Sequence, residues 1–285
     1  MTPSFMLVGA QKAGTTWLFE CLNEHPEVFV PELKEVHFFC PPDRCRHSRQ
    51  ANGMEWYLGL FPDDARYKAV GEMTTDYMYY GGADDIHRLN PDMKIVFMLR
   101  HPVDRAYSAY WMKRRHSLEV DSFESSLDEN AQLFERGCYH RQIMPFVEKF
   151  GAANVRVYIY EELTENPAAF FADLCGFLGV NPAFRPKSLD QRVGETKPLP
   201  PLLGFLYYKV ASRIINLPPV LPLWRFLRRN TRIKEVLLGT KPAGAKGSSY
   251  QPMPPDIRRR LLERYRPEND ALFAFLGRDI PSWSL

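Results

Sequence analysis

An α/β fold is predicted, a three-layer arrangement in which a parallel sheet lies between flanking helices. Short apolar, β-rich runs alternate with segments of helical period along the chain. The first run ends in a glycine-bracketed turn that opens into a helix, and a later run ends in a turn followed by Pro102 at a first helical position. With 285 residues, 45% hydrophobic and 25% charged, the chain has the size and composition to bury a core.

The elements follow in order. Phe5–Val8 is the first strand, and Thr15–Glu24 the first helix, stopped by His25-Pro26. Ala69–Glu72 and Lys94–Leu99 read as strands, and Val103–Arg115 as the helix that Pro102 begins. Arg141–Phe150 is a helix and Val155–Tyr160 a strand. Pro167–Leu178 is a helix closed by Gly179. Two last helices are expected, Asp256–Tyr265 and Glu268–Leu276, the second closed by Gly277. No internal repeat is seen, so residues 1–285 read as a single domain. Within it, Leu199–Lys241 is rich in Leu, Pro and basic residues, with Glu235 its only acid, and reads as a variable lid-like insertion.

Composition narrows the functional classes. A net charge of +3 is too small to imply nucleic-acid binding from bulk charge. Five cysteines, an odd number, argue against a secreted disulfide framework and favour a reducing compartment. Phe5–Ala10 is too short for a signal peptide, and no apolar run reaches the ~18 residues of a membrane span. A cytoplasmic location is expected.

The first chemical motif is Gly9-Ala10-Gln11-Lys12-Ala13-Gly14-Thr15-Thr16-Trp17. Its glycines have the spacing of a phosphate-binding loop, G-x-x-x-x-G-K-[ST]. Thr15, however, stands where the lysine belongs, and Lys12 lies inside the loop. Glycines let backbone approach a phosphate, and the N–H groups opening the helix form an anion site that Thr15 and Thr16 cap. The displaced lysine points to a nucleotide whose reactive end is not a magnesium-bound triphosphate. The second motif runs from Lys94 to Ser108 and places Arg100 at a strand's carboxyl end, where ligands bind in open α/β sheets. A magnesium-binding strand would end in an aspartate there. Arg100 and the Ser108 hydroxyl either hold a second phosphate, or Arg100 pairs with a surface acid.

With these two motifs the chain resembles the sulfotransferases that use 3′-phosphoadenosine 5′-phosphosulfate (PAPS). The resemblance implies a nucleotide-kinase-like P-loop fold and PAPS as co-substrate, released as adenosine 3′,5′-bisphosphate, with no metal. The loop residues Gly9, Gln11, Lys12, Ala13, Gly14, Thr15, Thr16 and Trp17 would hold the 5′-phosphosulfate, and Arg100 and Ser108 the 3′-phosphate. Lys34-Glu35-Val36-His37-Phe38-Phe39 resembles the corresponding stretch of the heparan sulfate sulfotransferases, which implies Glu35 as general base. His37 would orient the acceptor or assist Lys12. In an extended segment Glu35 and His37 would project to one face; the alternative is a loop edge anchored by Phe38 and Phe39. Tyr160 matches a residue near the adenine or is a core tyrosine. Gly244–Tyr250 resembles a loop that closes over the 3′-phosphate, with Lys246, Gly247 and Ser248 as contacts, or is a surface linker.

Two departures separate the chain from the heparan sulfate enzymes. Cys40 stands where they carry an aspartate, and Met73 where they carry a lysine. Because both family positions lie near the acceptor, a heparan-type polysaccharide is disfavoured. A hydroxyl or amine of another carbohydrate, a lipid or a small molecule is expected. Leu199–Lys241 is expected to cover that acceptor or to touch an anionic membrane surface peripherally. His37, Cys40, Cys45 and His47 are zinc-ligating types, but their spacing is not C-x₂-C and zinc is set aside. Two rival readings are a P-loop ATP phosphotransferase and a non-catalytic nucleotide-binding protein docked on a membrane or partner.

Overall fold

The computed structural model describes residues 1–114, 122–190 and 251–283. Its centre is a five-stranded sheet, every strand pair parallel, built from β1 (Phe5–Gly9), β2 (Val28–Phe29), β3 (Ala69–Met73), β4 (Lys94–Leu99) and β5 (Val155–Ile159). The spatial order is β2-β3-β1-β4-β5. β1 therefore lies inside the sheet, with Phe5 opposite Gly71 on one side and Lys94 on the other. Helices cover the faces, so β1 and β3 are buried along their whole lengths, as doubly covered parallel strands must be.

All four strands expected from the sequence are present, and the differences have physical causes. β2 is two residues long and was not anticipated, because no period-2 pattern fits in so short a run. Tyr160 does not end β5 but opens a helix, Tyr160–Glu165. The two expected C-terminal helices are one, Pro255–Leu276, with Pro267 inside it. An interior proline costs about 3 kcal/mol. Tyr265 and Leu272, both fully buried on either side of it, each return about 1.5–3 kcal/mol by burial, enough to keep the helix continuous. Short helices at Gly53–Leu58, Tyr77–Tyr80, Ala83–Leu89, Phe123–Glu129 and Ala131–Glu135 were also not anticipated; each is seven residues or fewer, about two turns at most.

The main core surrounds the sheet, and a second apolar cluster packs Pro102–Arg114 against Leu133, Ile257, Leu261 and Tyr265. Because every strand is parallel, all the carboxyl ends lie on one edge. Across β3, β1, β4 and β5 that edge places Thr74-Thr75, the Gly9–Gly14 turn, Arg100 and Tyr160 in a row. β1 is also where the order of connections reverses, the position at which open α/β sheets form a ligand crevice.

Candidate active site

The turn after β1 is fastened to its neighbour, since Ala10 N–H donates to the Met98 carbonyl (2.6 Å). Gly14 caps the following helix, Thr15–Glu24, with φ 82° and no side-chain cap. The capping expected of Thr15 and Thr16 is thus replaced by a left-handed glycine. Thr15 is buried in the first turn and Thr16 is exposed. Gly14 is required twice over. Its φ suits glycine, and a Cβ there would lie 2.8 Å from the Tyr160 ring. At Gly9 a Cβ would lie 2.4 Å from Met78 Sδ, so the loop enters through a gap only glycine fits.

Tyr160 and Arg100 complete this arm. The Arg100 guanidinium sits over the Tyr160 ring (5.2 Å to its centroid), and its Nη1 donates to the Lys12 carbonyl (3.4 Å). Tyr139 O–H donates to the Arg100 carbonyl (2.7 Å) from the helix Tyr139–Phe150. Loop, cation and ring therefore form one assembly. Ser108 is half-buried, two turns into the helix that follows Arg100. The Trp17 indole points elsewhere: its Nε1–H reaches the carbonyls of Ser188 (3.0 Å) and Leu189 (3.3 Å). Its ring packs on Phe170.

A second arm carries Glu35. Its carboxylate accepts the Thr75 N–H (2.7 Å), the Thr75 hydroxyl (3.2 and 3.3 Å) and the Lys34 ammonium (3.1 Å). Arg49 Nη1 donates to the carbonyls of Glu35 (3.1 Å) and Val36 (2.9 Å), fixing the backbone beneath it. The segment is not extended as expected. Glu35 has φ 63° and His37 φ 56°, with fully buried Val36 between them. Lys12 has φ 72°, so the three non-glycine residues of left-handed φ among the described residues are Lys12, Glu35 and His37. Each such residue costs on the order of 1–3 kcal/mol, and strain of this kind concentrates at functional sites.

His37 Nδ1 faces Asp76 Oδ2 (3.5 Å), and Asp76 is held by the Arg136 guanidinium (2.7 Å). Burial lowers the His37 pKa and favours the neutral ring, against the pull of the Asp76 carboxylate toward the charged one. Below them Glu72, wholly buried on β3, accepts the hydroxyls of Thr74 (2.6 Å), Tyr57 (2.9 Å) and Tyr77 (2.9 Å). Burial pushes its pKa up to about 7, while these hydrogen bonds work in the other direction. Tyr77 O–H lies 2.9 Å from the Phe38 N–H as well, tying the glutamate network to the Glu35 segment.

The sequence reading did not find Thr75, Asp76, Arg136 or the hydroxyl shell of Glu72. Thr74-Thr75-Asp76 follows a strand's carboxyl end, the signal used for Arg100, and the same rule applied there would have flagged it. Arg136 carried no local signal. Cys40 and Met73 are buried rather than open to an acceptor. At those two positions the chain lacks charge and offers no accessible replacement. His37, Cys40 and Cys45 come together, their ligand atoms all within 4.8 Å of one another. Lys246, Gly247, Ser248 and segment 199–241 lie outside the described residues. Among those described, no helix is long and apolar enough to cross a membrane.

Comparison with known proteins bears directly on this geometry. Residues 2–196 match the family model described as "Sulfotransferase domain". The chain is 26% identical over 312 residues to the bifunctional heparan sulfate N-deacetylase/N-sulfotransferase 4 of Mus musculus, covering 99% of this chain and 31% of that protein. It is 26% identical over 287 residues to the heparan sulfate glucosamine 3-O-sulfotransferase 3B1 of Mus musculus, covering 97% and 64%. The chain thus spans less than two thirds of the length of either relative. Among solved structures, a sulfotransferase from Alicyclobacillus acidocaldarius superposes with TM-score 0.72 at 27% identity, over 99% of both chains.

Proposed function

The chain belongs to the sulfotransferase domain family, and from that premise we propose that it transfers a sulfuryl group from PAPS to an acceptor hydroxyl or amine by in-line displacement. The observation that carries this reading is the Glu35 carboxylate, oriented by the Thr75 N–H and hydroxyl at the carboxyl end of β3, beside the phosphate-type loop that leaves β1. The residues present suit an anionic nucleotide. A glycine-lined turn opens a helix, Arg100 follows β4 where a magnesium ligand would otherwise stand, and Tyr160 offers a ring beside both.

PAPS would supply the sulfuryl group and leave as adenosine 3′,5′-bisphosphate. The chain's own part is positioning and proton transfer. Glu35 accepts the acceptor's proton as oxygen or nitrogen attacks sulfur. Lys12 and the N–H groups around Gly14–Thr16 stabilise charge on the departing bridging oxygen, a contribution of about 2.7–4 kcal/mol per donor in comparable sites. Neutral His37, oriented by Asp76, hydrogen-bonds the acceptor or assists Lys12. Arg100 and Ser108 bind the 3′-phosphate, and Lys246, Gly247 and Ser248 are assigned to the same group by resemblance. The lining contributed by Glu35, His37 and Lys34 suits a hydroxylated or aminated carbohydrate, lipid or small molecule, with segment 199–241 as its cover.

Incubation with sulfur-labelled PAPS and a panel of sugars, lipids and phenols, read by mass spectrometry, tests the proposal. A product heavier by one sulfur trioxide, absent with the Glu35→Gln variant, is expected. Calorimetric binding of ATP with magnesium but not of adenosine 3′,5′-bisphosphate would overturn it.

A further inference from the structure

Beside His37 stand two thiols, Cys40 and Cys45, to which the transfer chemistry assigns no task. His37, Cys40 and Cys45 lie on a single turn-rich segment, and their ligand atoms fall within 4.8 Å of one another. The segment is folded back on itself. Cys45 N–H donates to the Pro41 carbonyl (2.8 Å), Ser48 Oγ donates to the Cys40 carbonyl (2.6 Å), and Arg49 N–H donates to the His37 carbonyl (3.1 Å). Both thiols are free and buried, 0% and 2% exposed, and both face inward with the imidazole.

From this arrangement we propose that His37, Cys40 and Cys45 form a site for a thiophilic divalent cation, Zn²⁺ in particular. Distances support it. In a tetrahedral zinc site with Zn–S of ~2.3 Å and Zn–N of ~2.0–2.1 Å, sulfur and nitrogen ligands stand roughly 3.6 Å apart. Cys40 Sγ and His37 Nδ1 are 3.7 Å apart. A carboxylate oxygen on the same ion would stand roughly 3.4 Å from that nitrogen. Asp76 Oδ2 is 3.5 Å from it, a distance to the imidazole alone, and the ligands assigned are the imidazole and the two thiols. On binding, two S–H bonds break and two S–Zn bonds form, with both protons released to solvent. Two thiolates neutralise the ion. Coordination at Nδ1 fixes the His37 proton on Nε2 and so makes that nitrogen a donor. The ion clamps the segment whose Arg49 holds the Glu35 backbone. Its role is to set the geometry of that segment, and the sulfuryl transfer is not routed through it.

The test uses the full chain, reduced, stripped with a chelator and titrated with Co²⁺. One cobalt per chain is expected, with a thiolate-to-cobalt charge-transfer band and tetrahedral visible bands, both displaced by Zn²⁺. Cys40→Ser and Cys45→Ser should lose the band, while Cys175→Ala, at a buried thiol elsewhere in the core, should keep it. Folded, reduced wild-type protein without the band, or a Cys40→Ser variant that retains it, overturns the proposal. If the serine variants fail to fold, X-ray absorption of the wild-type zinc form decides. Two sulfur scatterers at ~2.3 Å support the site, and nitrogen and oxygen scatterers alone refute it.

Discussion

Substituting alanine at Gly14 should damage the proposed donor site through two effects that can be separated. Gly14 has φ 82°, and an L-residue in that conformation costs roughly 1–2 kcal/mol. The new Cβ would also lie 2.8 and 2.9 Å from two carbons of the Tyr160 ring. The Arg100 guanidinium lies over the same ring, 5.2 Å from its centroid, so a displaced ring also disturbs the cation. Overpacking of this kind costs about 1–3 kcal/mol. The sum is about 2–5 kcal/mol, and in a domain of this size each kcal/mol lowers Tm by roughly 2–4 °C. Gly14→Ala, Tyr160→Ala and the double variant form a cycle read by thermal melting and by calorimetry with adenosine 3′,5′-bisphosphate. The double variant should recover the packing part but not the backbone part, giving a coupling within the 0.5–3 kcal/mol that contacting residues show. Additive effects, or a Gly14→Ala variant with unchanged Tm and affinity, would refute the reasoning.

Other expectations follow from the same geometry. Glu35→Gln keeps the shape but removes the base, so turnover should fall by about 10²–10⁴-fold while donor affinity measured by calorimetry stays near wild type. Lys12→Ala should lower kcat by about 10²–10³-fold, with a smaller effect on KM. Glu72 governs a pH dependence. Burial raises its folded pKa to about 7 from the 4.5 of a free glutamate, so between those values the folded state holds a proton that the unfolded state has lost. Its contribution is fully present below pH 4.5 and is lost as pH rises toward 7. Denaturant melts should show wild type losing on the order of 3 kcal/mol relative to Glu72→Gln across that window. A pH-independent difference between the two would show that Glu72 titrates normally.

Much of this architecture was legible because it rests on local chemistry. The parallel strands announce themselves as apolar runs, and the Gly9–Gly14 spacing marks a turn only glycine can make where Met78 and Tyr160 press against the backbone. Arg100 was legible because it ends a strand. Glu35 and His37 were found by resemblance alone, and of the two geometries open to them the structure has the loop anchored by buried Phe38 and Phe39, not the extended segment. An alternating Glu-Val-His triplet reads as extended, yet fully buried Val36 and the grip of Arg49 on two successive carbonyls accompany left-handed backbone on either side.

By itself, then, the sequence determined the class of fold, the glycine-bracketed turn after β1 and the cations beside it, since each follows from residue type and spacing within a short stretch. Only the tertiary structure decided which groups orient the proposed base. Thr75 lies 40 residues from Glu35, and Arg136 lies 60 from the Asp76 that faces His37. Tyr57 reaches Glu72 across 15. Such partners leave no pattern along the chain, because hydrogen bonding depends on distance in space and is set only when parallel strands bring their carboxyl ends to one edge. The proposed zinc triad differs in lying within one short segment, from His37 to Cys45. Its spacing argued against a metal, and the fold of one segment brought the ligand atoms together.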